Sequence, residues 1–369
     1  MKVPFLDLQA SYKELKNEID ESILRVLNSG RYIGGLEVES FEDEFSAYCG
    51  SRYTVGVANG LDALVLSLQS LGIGMGDEVI VPANTFIATW LALSEVGAIP
   101  VPAEPDTQTY NIDVNKIKNL ITPKTKAIIP VHLFGQPADL DPILILAKEN
   151  DLFVIEDAAQ AIGSKYKNKM IGAHSDLVCW SFYPGKNLGA FGDAGAISTN
   201  NRALADNIRS LGNYGSKKKY VHKLIGKNSR LDPIQAAILK VKLQFLDSWI
   251  DRRKEIAAIY SSAFVGHELF SMPFIPEWAE PAWHLYVINT SFRDEIQAHL
   301  HKNDVETIIH YPIPPHLQEA YSEKSFQKFS LPITESLAQN ILSLPIGPHL
   351  SKKQCQYVID CLNRVSVKV

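Results

Sequence analysis

The residues best suited to chemistry lie in three short stretches, each closing an apolar run. In "SFYPGKNLGAFGDAGA", Lys186 follows "CWSFYPG" and is flanked by Gly185 and Gly189, so the spacing predicts a loop that carries the lysine into a crevice at a strand end. A lysine desolvated there titrates low enough to act as a nucleophile and form a Schiff base. In "LFVIEDAAQAIG" the apolar run stops at Glu156 and Asp157, which places Asp157 at the sheet's edge. A carboxylate in that position can hold a proton on a heterocyclic nitrogen by stabilising the cation. In "TVGVANGLDALVLSL" a strand ends at Asn59 and Gly60 and an apolar-periodic helix begins at Leu61. That junction aims free N–H groups and the positive end of a helix dipole at an anion. Each stretch also has an ordinary reading: a solvated loop lysine, a helix N-cap aspartate and a plain turn.

The elements that must position these groups follow from hydrophobic periodicity. Short β-branched runs, "YTVGVA", "DEVIVP", "KAIIPVHL", "LFVIED" and "SDLVCWSFY", alternate with helical patterns from Leu61, after Thr85 and from Asp139. Such alternation predicts an α/β domain with a mostly parallel sheet, in which ligands gather outside the carboxyl ends of the strands. A long helical sequence starts near Asp232, after which proline becomes frequent, as in "MPFIPEWAEPAW" and "HYPIPPHLQ". We therefore expect a large domain over 1–245, with an N-terminal segment able to pack on the second unit, and a smaller α+β domain over 246–369.

Composition narrows the class. At 369 residues the chain is long enough to bury a sizeable core, and 46% hydrophobic with 21% charged residues is an ordinary soluble balance. The net charge of -5 gives no global basic signature for nucleic acid, so any anion site is expected to be local. Cys49, Cys179, Cys355 and Cys361 are scattered and read as reduced thiols of a cytoplasmic chain. The opening "MKVPFLDLQASYKELKNEID" lacks the apolar core of a signal peptide, and the most apolar stretch is interrupted by Glu95 and proline, so no membrane span is expected. Neither GxxxxGK[ST] nor GxGxxG occurs, and the ten histidines show no metal spacing; no metal is expected.

Together the three strand ends ask for one ligand carrying an aldehyde, a basic ring nitrogen and a phosphate. Pyridoxal 5'-phosphate (PLP) has all three, and it serves as an electron sink only while its ring nitrogen stays protonated. The blocks "NGLDAL", "PANTFIAT", "VIEDAAQAIG", "SFYPGKNLGAFGDAGA", "GKNSRLDPIQAAIL" and "HYPIPPH", in this order, resemble the DegT/DnrJ/EryC1/StrS family of sugar aminotransferases over nearly the whole chain. The resemblance implies the aspartate aminotransferase-like, type I PLP fold. It makes Lys186 the Schiff-base lysine, Asp157 the partner of the pyridine nitrogen and Gln160 a donor to the cofactor's phenolic oxygen. By the same resemblance Phe86 stacks on the cofactor ring, Gly60, Leu61 and Ser181 hold the phosphate, and Asn228 reaches the phosphate of a neighbouring subunit's cofactor. A homodimer with shared sites follows, although Asn228 also reads as a cap for the helix near Asp232.

For the substrate, Arg31, Tyr32, Tyr183, His310 and Tyr311 resemble family contacts, and each also reads as a hinge or interface residue. The lysines of "GSKKKYVHK" supply local positive charge suited to a diphosphate, although such a run is more often a solvated loop. "PGKNLGA" resembles the branch that aminates C-3 of dTDP-3-keto-6-deoxyhexoses with L-glutamate as donor, in pathways to deoxyamino sugars of O-antigen or other surface polysaccharide. The alternatives are a C-4 aminotransferase on a UDP- or dTDP-4-keto sugar, a PLP-dependent sugar dehydratase and a non-catalytic regulatory homologue. Dehydratases of the family carry histidine where this chain has Lys186.

Overall fold

In the computed structural model, which describes residues 1–322 and 329–366, a seven-stranded sheet forms the centre of the molecule. From one edge its strands are Tyr53–Val57, Gly195–Thr199, Leu177–Ser181, Phe153–Asp157, Thr125–Ile128, Glu78–Pro82 and Ile99–Ala103. Five neighbours from Leu177–Ser181 to Ile99–Ala103 pair in parallel, while Gly195–Thr199 runs antiparallel to the strands on both its sides. The parallel strands are apolar on both faces because both faces are covered. Val79, Val81, Ile155, Leu177 and Cys179 face the helices Gly60–Ser70, Ile87–Val96 and Arg202–Leu211. On the other side, Val178, Trp180 and Ala196 pack with Phe41 and Phe45 of the helix Leu36–Cys49 and with Ala236 and Leu239 of the helix Pro233–Leu243.

The expected helices and strands are present, with three differences. "IPVPA" forms the edge strand Ile99–Ala103 despite Pro100 and Pro102, because an outermost strand leaves one side free of ladder bonds. "GAIST" supplies a sheet strand that its small residues had concealed. The long helical sequence from Asp232 is two helices, Pro233–Leu243 and Leu246–Ala263, interrupted at Gln244 and Phe245. The helix Pro233–Leu243 has Asp232, not Asn228, at its N-cap, which removes the capping role considered for Asn228.

A second core lies beyond the sheet. It gathers Ile256, Ala257 and Tyr260 of the helix Leu246–Ala263, Tyr286 and Ile288 of one strand, Leu342 and Leu344 of its antiparallel partner, and Cys355 and Val358 of the helix Lys352–Leu362. Leu246 and Ile250, at the start of the same long helix, belong instead to the core beneath the large sheet. One rigid helix thus joins both cores. The N-terminal segment also crosses: Val3 is buried in the second core and bridges Val305 in parallel, while Leu6 reaches a methyl toward Gly185 of the lysine loop. No described helix is long and apolar enough to cross a membrane.

Candidate active site

The carboxyl ends of the parallel strands converge on one edge of the sheet, and the singled-out groups are found there. The helix after Val57 begins at Gly60, capped by Asn59, whose side-chain oxygen accepts from the Asp62 N–H at 2.8 Å. The first N–H groups of that helix therefore remain available to an anion. Ser181, the last residue of its strand, closes on the same spot: a side chain at position 60 would meet Ser181 Cβ at 2.7 Å. Only glycine lets this backbone approach so near. A small cradle of N–H groups and one hydroxyl results, as a phosphate requires.

Asp157 ends the central strand Phe153–Asp157 and is buried. Its Oδ2 accepts from the Thr89 hydroxyl at 2.9 Å and its Oδ1 from the Ala159 N–H at 3.2 Å. No helix follows it, so the N-cap reading does not apply. Burial pushes its carboxyl above the usual range, against the Ala159 and Thr89 hydrogen bonds and the charges of Lys186 and His132. Lys186, half-buried, shows the opposite response. Burial lowers its amine to about 8, and the charge of Asp157 holds it from falling further. The loop that carries it folds back on itself, with the Lys186 N–H donating to the Tyr183 carbonyl at 2.8 Å.

Gln160 is fixed at both ends of its amide. Oε1 accepts from the Phe134 N–H at 2.6 Å, and Nε2 donates to the Tyr311 hydroxyl at 2.8 Å. One amide hydrogen remains for a ligand oxygen. Phe86, at the N-cap of the helix Ile87–Val96, is half exposed, with its ring centroid 5.1 Å from that of Tyr311. His310 stands beside them; its Nδ1 shares a hydrogen bond with Ser343 Oγ at 2.8 Å, and burial with the nearby Lys186 charge pushes it down to about 4. It is neutral at physiological pH.

Behind this cluster stand three residues to which the sequence patterns assigned no role. Thr89, which orients Asp157, receives a hydrogen bond in turn from Thr85 at 2.9 Å; its place three residues after Phe86, on the same helix face, was the available clue. Glu156 and His132 form a fully buried pair at 2.8 Å. Because His132 Nδ1 accepts from the Ala138 N–H, the proton sits on Nε2 and is donated to Glu156. The pair and the Ser175 hydroxyl overcome the burial of Glu156 and hold its carboxyl below the usual value.

Other predicted residues lie farther out. Tyr183 is 58% exposed at the rim of the lysine loop. Arg31 and Tyr32 are exposed between two helices, and Ile33 and Gly34 next to them line a cavity of about 460 Å³ shared with Asn213, Ser229 and Arg230. Asn228 is exposed, while its neighbours are tied down: Lys227 pairs with Asp62 in the first turn of the anion-facing helix at 2.6 Å, and Ser229 Oγ accepts from the Ala58 N–H. The lysine-rich segment is an exposed hairpin of Ser216–Lys218 and Val221–His222. Among the described residues no cluster of three or more His, Cys, Asp or Glu is placed to hold a metal ion.

A sheet edge presenting an anion cradle, a buried carboxylate, an aromatic face and a desolvated lysine defines a PLP-dependent aminotransferase of the type I fold. The comparisons agree: residues 13–363 match the DegT/DnrJ/EryC1/StrS aminotransferase family, to which this chain belongs. It is 50% identical, over all of its length and 97% of the other chain, to a dTDP-3-amino-3,4,6-trideoxy-alpha-D-glucose transaminase of Streptomyces venezuelae. It is 49% identical, over 98% of its length and 99% of the other, to a dTDP-3-amino-3,6-dideoxy-alpha-D-galactopyranose transaminase of Aneurinibacillus thermoaerophilus. The crystal structure of S. venezuelae DesV in complex with a ketimine intermediate superposes with a TM-score of 0.98 at 49% identity, covering 100% of this chain and 99% of that one.

Two outcomes follow from the electrostatics. If the Lys186 amine captures PLP, the rate of capture by the apoprotein, followed by visible absorbance, should rise with pH and level off above about 8; a rise continuing to the ordinary lysine value of 10.5 would show a solvated amine. Asp157→Asn keeps the shape and removes the charge, so kcat should fall at least about 100-fold, roughly 2.7 kcal/mol of barrier, with little change in melting temperature. A variant that loses only stability would assign Asp157 a structural role.

Proposed function

We propose that this chain moves the amino group of L-glutamate to C-3 of a dTDP-linked 3-keto-6-deoxyhexose, working as a cytoplasmic homodimer in the supply of amino sugars for O-antigen or another surface polysaccharide. The observation that carries the reading is that Lys186, whose amine burial lowers, and the buried Asp157 lie at one sheet edge within reach of each other's charge. Two relatives at about 50% identity, both named as dTDP-3-amino sugar transaminases, support the position aminated. Bound there, PLP supplies an electron sink for the pair left behind when a proton departs from carbon. The protein's own groups do the rest. Gly60, Leu61 and Ser181 would hold the phosphate, Phe86 would cover the ring face, and Asp157 would hold a proton on the ring nitrogen. Lys186 Nζ would take the proton from the donor's amino-bearing carbon and hold it for return. His310, Tyr311, Tyr183, Arg31 and Tyr32 are the groups we assign to the sugar nucleotide. The intact lysine argues against dehydration and against a purely regulatory homologue.

The two cores suggest how the chain divides. We take the boundary between a large unit and a small one to fall within the helix Leu246–Ala263, since its first turns pack under the sheet and its later turns in the second core.

The test is incubation with L-glutamate and a panel of 3-keto and 4-keto sugars linked to dTDP or UDP, with products identified by mass and NMR. A 3-amino product together with 2-oxoglutarate is expected, and Lys186→Ala protein should give none. Amination at C-4, or elimination of a hydroxyl without amination, would replace this reading. The shared site has its own test, because the ties from Lys227 and Ser229 also keep Asn228 near the anion cradle of its own chain. If Asn228 serves the partner, mixing Lys186→Ala with Asn228→Ala chains yields heterodimers with one intact site, and activity returns. If it serves its own chain, mixing gives no more than the average of the parents.

A further inference from the structure

Lys242 lies in the last turn of the helix Pro233–Leu243 and is only 4% exposed. Its Nζ donates to the carbonyl of Gly189 and stands over two rings, 5.1 Å from the centroid of Phe191 and 5.8 Å from that of Trp249. No carboxylate pairs with it among the described residues, and burial lowers its amine to about 8. An apolar side chain could fill the same space without the cost of burying an amine, so the hydrogen bond is what the lysine adds.

That bond falls at a demanding place. The loop from Tyr183 to Gly189 turns so tightly that a side chain at position 189 would meet the Pro184 carbonyl oxygen at 2.3 Å. Its exit is held by the Ala190 N–H donating to the Phe182 carbonyl at 2.8 Å, and by Gln235, whose Oε1 accepts from the Phe191 N–H at 2.8 Å. Gly189 itself is buried, and Lys242 satisfies its carbonyl from the helix below. The aromatic pair fixes where the Lys242 ammonium can sit, and the ammonium fixes where the Gly189 carbonyl can sit.

We propose that Lys242 is a positioning residue for Lys186, pinning the exit of the turn that presents the nucleophilic amine to the cofactor. The inference rests on the reading of Lys186 as the cofactor-bearing lysine. It acts on the placement of Nζ rather than on the cradle for the phosphate, and this separation makes it testable.

Apoprotein of Lys242→Met, in which a chain of similar length keeps the space between the rings and loses the donor, is compared with wild type and with Lys242→Arg. The rate at which Lys186 captures PLP, followed by visible absorbance, should fall about tenfold or more, since small misplacements of a reacting group cost that much. Affinity for pyridoxamine 5'-phosphate, which occupies the pocket without a bond to Lys186, should stay near the wild-type value. Lys242→Arg, which keeps a cation and donors over the rings, should recover most of the capture rate. Wild-type capture by Lys242→Met overturns the proposal, and so does an equal loss of both properties, which would mark general damage to the pocket. Should Lys242→Met not fold, Lys242→Gln is measured in the same way and judged by the same outcomes. Borohydride reduction and peptide mapping of the wild-type protein separate the two levels: a pyridoxyl group on a lysine other than Lys186 refutes the underlying assignment, whatever the variants do.

Discussion

Burial pushes Lys186 and Asp157, at one edge of the sheet, each toward its uncharged form, the amine downward and the carboxyl upward. In the proposed function these responses act differently: burial helps the Lys186 amine lose its proton, whereas it works against the charge Asp157 would need to hold a ring nitrogen protonated, and the Thr89 hydroxyl and Ala159 N–H oppose it. A cation placed opposite the carboxylate would complete that compensation. Much of the surrounding architecture can be understood as the means of keeping two such groups close together and dry.

The sheet provides the means. Asp157 and Ser181 are the last residues of two adjacent parallel strands, and Gly60 opens the helix that follows another strand running in the same direction. Strands ending at a common edge bring together residues that the sequence separates by scores of positions, without a loop having to fold around a ligand. Behind that edge, the buried pair of His132 and Glu156 satisfies the polar groups next to Asp157, so neither draws the Asp157 carboxylate away.

The groups that could be read in advance were those whose signal is local. Lys186, Asp157 and Gly60 each close an apolar run, and the run locates the strand end. What stayed hidden depended on contacts between distant segments. His132, past the end of the strand Thr125–Ile128, pairs with Glu156 on the adjacent strand with no spacing rule to announce it, and Thr89 matters only because its helix start faces Asp157. The strand Ile99–Ala103 was masked by its prolines, and Gly195–Thr199 by small residues that also suit a loop. Family resemblance, not periodicity, singled out Phe86, Gln160 and Tyr311, which the structure brings together, Gln160 hydrogen-bonded to Tyr311 and the Phe86 ring beside it.

The crossing of Val3 into the second core bears on how separable the two halves are. A chain segment from one end and another near Val305 close the same apolar cluster, and the residue between them, Leu6, rests near the loop of Lys186. The core beyond the sheet is therefore completed from the far end of the chain: without Val3 it would lack a buried side chain and the backbone bridge to Val305. A contact of such long range is costly in chain entropy and slow to form.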